Sequence, residues 1–432
     1  MKKISEVLAF LTAAFIPFPT LGYPIANDLT ISPALVCGSA FLLLNLLHLF
    51  DRRDYLVSAV GVAACFIVSN IGRNPADTYM LSLIALFAVL APLILGDIGN
   101  SVRRALIWGF MTGLVITMVI SFVELMASLL SIDDILNLLD TIFPDGRRGN
   151  PSPYLRPKAG FFEPSHLAVY LAYAFVIVDV AFRKTQRSNV FKALIGVCIL
   201  YVGSLAGFLI ATFYVAAQGV SGVFKSKRNA FIAFMLLILS FAAVLIYWND
   251  IVSSTYFERL GIVSDAFSSG DLVGSEGSRI NAFRPVFDYW SENGWTEFFL
   301  GTGYANYSDW LITRYGGLGT FSSAGRGDID NIFAAVMLST GLFGILSYLT
   351  FLVVRLYSVS KGRRIPIVLF LVAVHFAYGH MISYLGWYLL LVLASALELR
   401  QNAEVAASRL VIGRREVGSS GMASPRRPVS AS

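Results

Sequence analysis

RRALIWGFMTGLVITMVISFVELM, residues 103–126, decides the fold class. Arg103 and Arg104 open the stretch, and no ionisable side chain follows until Glu124. A helix needs about 20 apolar residues to cross the hydrocarbon core of a bilayer. The run therefore reads as a transmembrane helix with its basic end in the cytoplasm. The rest of the chain repeats this pattern. Of 432 residues, 56 % are hydrophobic and 14 % charged, where a soluble domain carries about 25 % charged residues. That balance excludes a disordered chain, a nucleic-acid-binding arm and an ordinary soluble fold. The net charge of +6 matters less than its placement.

Twelve apolar segments can be read, at about 5–24, 30–50, 55–72, 78–96, 104–126, 162–182, 191–203, 205–222, 229–248, 331–354, 365–382 and 384–399. The expected fold class is all-α, a polytopic integral membrane protein with about twelve transmembrane helices. The seventh and eighth segments are short and broken by Gly203-Ser204. They are either one long kinked helix or two half-crossings, and length alone does not decide. Lys2 and Lys3 put the N-terminus inside. Arg52-Arg53, Arg103-Arg104, the Arg183 to Lys192 group, Lys225-Lys227-Arg228 and the Arg355 to Arg364 group then all fall in cytoplasmic loops, as the excess of positive charge inside requires. The apolar run after Met1 leads directly into a second apolar segment, so it reads as a first membrane helix rather than a secretory signal.

The domain plan is 1–126, 127–161, 162–248, 249–330, 331–399 and 400–432: three helical blocks, two outer loops and a basic cytoplasmic tail. The first loop carries Ser131 to Leu139, whose spacing suggests a short amphipathic helix at the interface. The second, 249–330, holds ten acidic residues before Asp330 against five arginines. The tail, rich in Ala, Ser, Gly, Pro and Arg, is expected to be disordered and to lie against anionic lipid. Cys37, Cys65 and Cys198 sit in apolar runs and read as packing residues. His48, His166, His375 and His380 are scattered, and no zinc-ligand spacing occurs. No internal repeat is visible, which weighs against inverted-repeat transporter folds.

The spans carry few charges: Glu124, Glu163, Asp179 and Lys192. Polar residues that need explaining cluster instead at the outer face. The first cluster is Arg156-Pro157-Lys158-Ala159-Gly160-Phe161-Phe162-Glu163-Pro164-Ser165-His166. It is either a helix start with its acid favoured by the dipole and Pro in the first turn, or a cationic phosphate site beside a general base. The second is Ser278 to Arg284, then Leu300-Gly301-Thr302-Gly303. On a helix, Arg279 and Arg284 diverge by about 140°, so they are not expected to share a ligand face. Phe283, Val286, Phe287 and Trp290 recur at helical spacing and read as a packing stripe rather than a sugar platform. The third is Asp330-Asn331, nine residues ahead of Gly341-Leu342-Phe343-Gly344. Asp and Asn there serve as helix caps, and the glycines allow close helix packing.

Taken together, the three clusters resemble the Wzy / O-antigen ligase superfamily. In topology the likeness covers most of the chain, and in motif about 40 residues. Asn331, the nine-residue gap, Gly341 and Gly344 match the ligase pattern, but Asp330 stands where the pattern has His. Arg156 with Gly160 looks like the family arginine of the earlier loop, and Arg279 ahead of Leu300-Gly301 looks like the arginine of the large loop. Ser204-Leu205 departs from the Ser-Arg-Gly found in many members. The resemblance implies a GT-C-like, inverting, metal-independent glycosyltransferase in the bacterial inner membrane. Missing His tilts the reading toward a polysaccharide polymerase, with an O-antigen ligase as the alternative and a precursor transporter as the rival from another class.

Such a reaction needs cations for the departing diphosphate, a carboxylate for the acceptor proton and an apolar lateral opening for prenyl tails. The resemblance accordingly assigns diphosphate binding to Arg156 and Arg279, with Lys158 and Arg284 as further cations. Asp330 or Glu163 is the base, and Asn331 lies in the substrate site. No cofactor or metal is expected. The implied partners are an undecaprenyl-diphosphate-linked oligosaccharide, membrane lipids, and the chain-length regulator and flippase of the same pathway, with no nucleic acid.

Overall fold

The computed structural model describes residues 2–26, 29–45, 98–143, 157–161, 163–182, 186–223, 281–303, 308–315, 331–359, 364–377 and 384–420. The expected segments at 55–72, 78–96 and 229–248, and Arg156, Arg279 and Asp330, lie outside them. The described chain is helical apart from one short antiparallel hairpin. Its elements are α1 (Lys2–Phe15), β1 (Tyr23–Ala26), β2 (Leu29–Ile31), α2 (Pro33–Asn45), α3 (Asn100–Leu129), α4 (Asp133–Ile142), α5 (Pro164–Ala181), α6 (Gln186–Val202), α7 (Leu205–Val223), α8 (Phe283–Asn293), α9 (Trp295–Leu300), α10 (Ser308–Tyr315), α11 (Ile332–Val359), α12 (Arg364–Ala377) and α13 (Tyr384–Ser420). Among the described residues, Asn100–Leu129, Pro164–Ala181 and Ile332–Thr350 are long and apolar enough to cross a membrane.

The first expected span ends early. α1 stops at Phe15 because Pro17 and Pro19 follow, and proline neither donates to the helix ladder nor tolerates a helical residue before it. The chain turns and forms the β1–β2 hairpin, with Tyr23 opposite Ile31. α1 packs along α3 at very short range. A Cβ on Gly109 would collide with the Phe10 carbonyl, and one on Gly113 with the Ala14 carbonyl. Two glycines four residues apart thus open the groove in which α1 lies, with Ala9 and Ala13 fully buried. Small residues let helix backbones approach where apolar solvent gives no other drive to associate.

α5 is the central helix. Every residue from Leu167 to Ala174 is buried, because α6, α7 and α13 surround it. A helix apolar all round has no face to leave in water. Gly203, with φ +66°, separates α6 from α7. Asp179 near the end of α5 pairs with Lys192 in the first half of α6 (2.9 Å) and accepts hydrogen bonds from Tyr214 (3.0 Å) and Gln218 (2.5 Å) of α7. The first half of α6 and the second half of α7 therefore meet near one end of α5, and the two helices run as an antiparallel pair. This settles the choice left open at residues 191–222: they form two helices. The two charges also account for each other, as buried ionisable groups must.

At the start of α3, Arg103 is buried and forms an ion pair with Glu398 of α13, with Asn100 accepting from both Arg103 and Asn402 (3.2 Å each). α13 does not stop at the expected membrane boundary. It continues to Ser420, so residues 401–420 of the tail are helical rather than disordered. The run QNAEVAASRL is made mostly of good helix formers, and Arg400–Glu404 (2.9 Å) adds an i,i+4 pair.

The amphipathic segment after α3 does form a helix, α4. It starts with Asp133 and Asp134, where negative charge favours the dipole. Leu139 of this helix and Phe143 just after it are buried against Phe18, whose ring stacks on Phe143 at 5.9 Å.

Candidate functional site

Residues 157–161 of the first cluster are held between three elements. Glu124 of α3 is fully buried, and its Oε2 accepts the backbone N–H groups of Lys158 (3.1 Å) and Ala159 (2.8 Å). Ala159 takes the left-handed conformation, φ +49°, so consecutive N–H groups converge on one oxygen. Such a concavity binds anions, and here the chain's own carboxylate fills it. On the far side, Thr20 donates its N–H (3.4 Å) and hydroxyl (2.8 Å) to the Gly160 carbonyl. A side chain at Gly160 would press on the Phe18 ring (2.6 Å) and the Pro17 carbonyl (2.7 Å). Phe161 closes the loop against Tyr170 of α5 at 5.4 Å. The Lys158 side chain is buried, only 6 % exposed.

Glu163 occupies the cap position of α5 with extended backbone, φ −140° and ψ 151°, and Pro164 follows as the first helical residue. Its carboxylate does not cap the helix. Instead Ser165 donates to Oε2 (3.1 Å), while His166 and Leu167 donate to the main-chain carbonyl. The side chain is half-buried.

The second and third clusters meet directly. α8 and α9 pack on α11: Val286 and Trp290 are buried with Ala334, Leu338 and Leu311. α9 ends at Gly301, φ +75°, and the Gly301-Thr302-Gly303 turn bonds α11, with the Thr302 N–H to the Leu338 carbonyl (2.8 Å) and the Gly303 N–H to the Ser339 carbonyl (2.9 Å). Those carbonyls are available because α11 is broken at Gly341, φ 64° and ψ −165°. Two Gly-only conformations face each other: a Cβ on Gly301 would strike the Ser339–Thr340 peptide, and one on Gly341 the Phe299–Gly301 backbone. The break bends the helix. Phe333 and Tyr348 both reach the His375 ring, at 5.4 and 5.7 Å, although 15 residues of straight helix would separate them by about 22 Å.

Asn331 is fully buried. Its Oδ1 accepts the Ala334 N–H (3.1 Å), capping α11, and its Nδ2 donates to the Phe376 carbonyl of α12 (3.2 Å). The neighbouring His375 donates Nδ1–H to the Leu371 carbonyl and accepts from the Tyr348 hydroxyl at Nε2, both at 2.7 Å. Phe283 of α8 packs against Phe376 at 6.3 Å. Arg284 is exposed and 3.8 Å from Asp288. It lines an open pocket of about 370 Å³ with Asn281, Phe283, Phe287 and Asp288. The expected packing stripe divides accordingly. Val286 and Trp290 enter the core, while Phe287 stays 59 % exposed on the pocket.

Glu124 was visible in the sequence as one of the few charges in a span, and a carboxylate near the end of an apolar run is expensive unless it has a task. Its task, holding a loop 34 residues away, has no sequence signal. No protein-family model matches the chain, and no curated protein matches it.

Proposed function

We propose that this protein is a membrane-embedded polysaccharide polymerase of about twelve spans, in the manner of the Wzy / O-antigen ligase superfamily. In this reading it acts at the outer face of the bacterial inner membrane. It moves a glycan from one polyprenyl diphosphate to a hydroxyl of a second lipid-linked repeat unit. The anomeric carbon–oxygen bond to the diphosphate breaks, a glycosidic bond to the acceptor oxygen forms with inversion, and the acceptor proton passes to a carboxylate, Asp330 or Glu163. Arg156 and Arg279 bind the departing diphosphate, since guanidinium offers a planar fork for phosphate oxygens. Lys158 contributes by position within its pinned loop, and Arg284 from the wall of its pocket. Asn331 acts as a positioning residue, because its amide is engaged with backbone on α11 and α12.

The observation that carries the reading is the backbone clamp between Leu300–Gly303 and Leu338–Gly341. It couples the two motifs that the resemblance had singled out separately, and it brings α8, with Arg284 and the exposed Phe287, beside the helix capped by Asn331. An aromatic face beside a cation is suited to a sugar phosphate.

The test is a deletion strain complemented with wild type, Arg156→Ala or Arg279→Ala, with lipid-linked and secreted glycans extracted and sized. Lipid-linked single repeat units without polymer, in variants that still reach the membrane, is the expected result. Normal-length lipid-linked polymer that never reaches its acceptor would identify a ligase instead. Full polymer from either alanine variant removes that arginine from the diphosphate site.

A further inference from the structure

We infer that α9 is an interfacial anchor: Trp295, Phe299 and Phe343 form one apolar face that seats in the acyl-chain region of the outer leaflet, so the large loop is fastened to lipid as well as to protein. This rests on the membrane reading above.

Three observations place it there. The first is the face itself. Trp295 is 77 % exposed and Phe343 51 % exposed, yet they are linked by stacking: Trp295 on Phe299 at 6.1 Å and Phe299 on Phe343 at 5.1 Å. Such a strip exposed to water would be costly. The second is continuity. Phe343 belongs to α11, and Leu346, exposed on the same helix, carries the strip onto a segment apolar enough to cross a membrane. The third is depth. The part of α11 beyond the break, Leu342 to Val359, is about 27 Å long at 1.5 Å per residue. That nearly matches the ~30 Å hydrocarbon core. With the Arg355 to Arg364 basic group at the inner end, Gly341 and the turn clamped on it stand at the outer boundary, the level that tryptophan prefers. Glu297, two residues from both Trp295 and Phe299, lies on the opposite side of α9 at about 100° per residue, where it reaches headgroups and water.

The anchor also explains the clamp. Carbonyls freed by a helix break near hydrocarbon have no water to bond. The Thr302 and Gly303 N–H groups satisfy those of Leu338 and Ser339, and α9 holds that turn at the right height.

The experiment uses the full chain reconstituted in phosphatidylcholine vesicles. Tryptophan emission of wild type minus that of Trp295→Phe isolates the Trp295 signal. Lipids brominated near the headgroup end or near the methyl end of the acyl chain, and aqueous acrylamide, serve as quenchers. We expect Trp295 emission to be blue-shifted, to lose most of its intensity in the shallow brominated lipid and less in the deep one, and to resist acrylamide. Phe343→Trp in the Trp295→Phe background reads the same face from α11 and should behave alike, whether or not α9 tolerates its own substitution. Strong acrylamide quenching without a bromine effect would mean an aqueous loop, and indifference to both quenchers a face covered by protein. Either result overturns the anchor. Loss of the protein from carbonate-washed vesicles would instead overturn the membrane reading itself.

Discussion

Gly341→Ala should be among the most damaging single-methyl substitutions in the described chain, and its cost can be worked from the geometry. The residue sits at φ 64° and ψ −165°, a region essentially closed to residues with a Cβ and worth about 1–3 kcal/mol of strain. The added methyl also meets the Phe299 and Gly301 backbone, which cannot rotate away as a flexible side chain would. Relief requires the 301–303 turn to withdraw, breaking the hydrogen bonds to Leu338 (2.8 Å) and Ser339 (2.9 Å). Each is worth about 1 kcal/mol net, and more where the carbonyl finds no other donor. The sum is about 3–6 kcal/mol. The assay is retention of monodisperse, detergent-purified protein after a temperature ramp. Gly196→Ala is the control: a methyl there meets nothing within 4 Å, and alanine in a helix interior stabilises by about 0.5–1 kcal/mol. If Gly341→Ala tracked Gly196→Ala, the clamp would not be a structural contact and the argument built on it would collapse.

Glu124→Ala removes the acceptor of two buried N–H groups and should cost about 2–5 kcal/mol. Glu124→Gln keeps one acceptor oxygen and should cost less. Trypsin reports the difference, since cleavage after the buried Lys158 should accelerate in the alanine variant and not in wild type. Lys192→Met leaves Asp179 with its Tyr214 and Gln218 donors, so the loss should fall below the ~3–5 kcal/mol of a fully orphaned buried charge. Adding Asp179→Leu should recover part of it in the same thermal assay, and no recovery would mean that the pair is not coupled. Gly109→Leu should separate α1 from α3 and lower the yield of folded protein, whereas Gly99→Ala, which meets nothing, should not. Arg284→Ala should change stability by less than about 0.5 kcal/mol, because its pairing with Asp288 is exposed, while polymer length or amount falls. Unchanged polymer would take Arg284 out of the proposed site.

Much of this molecule was legible from one-dimensional pattern. Apolar runs mark α3, α5, α7 and α12 because a helix buried in protein or lipid must be apolar on most sides. The spacing from Ser131 to Leu139 marks α4, and the Asp-Asn pair before residue 332 marks the start of α11, since amphipathic faces and caps depend only on neighbours in sequence. α1 ended short of its expected 5–24 span for an equally local reason, the Pro17 and Pro19 pair, to which an apolar tally is blind. The helical tail beyond residue 400 was hidden by its composition as a whole: the Gly, Ser and Pro that suggest disorder concentrate at the far end, while the first two turns, Gln401 to Ala407, hold three alanines and a glutamate and none of these breakers.

The tertiary structure alone decided which distant residues share a task. Glu124 and the Lys158–Ala159 peptide, Thr20 and Gly160, the Gly301 turn and the Gly341 break are all pairings through backbone groups, which every residue carries and which leave no side-chain signature. Glycine spacing shows that something comes close, not what. The sequence likewise shows that Trp295 and Phe343 are apolar, but only the stacking of each on Phe299 joins them into one face across α9 and α11. Sequence by itself determined which described stretches are apolar and, for most of them, that they are helical, because those are local free energies. Folding decided which loops meet which helix ends, because that depends on satisfying buried polar groups across long separations of chain.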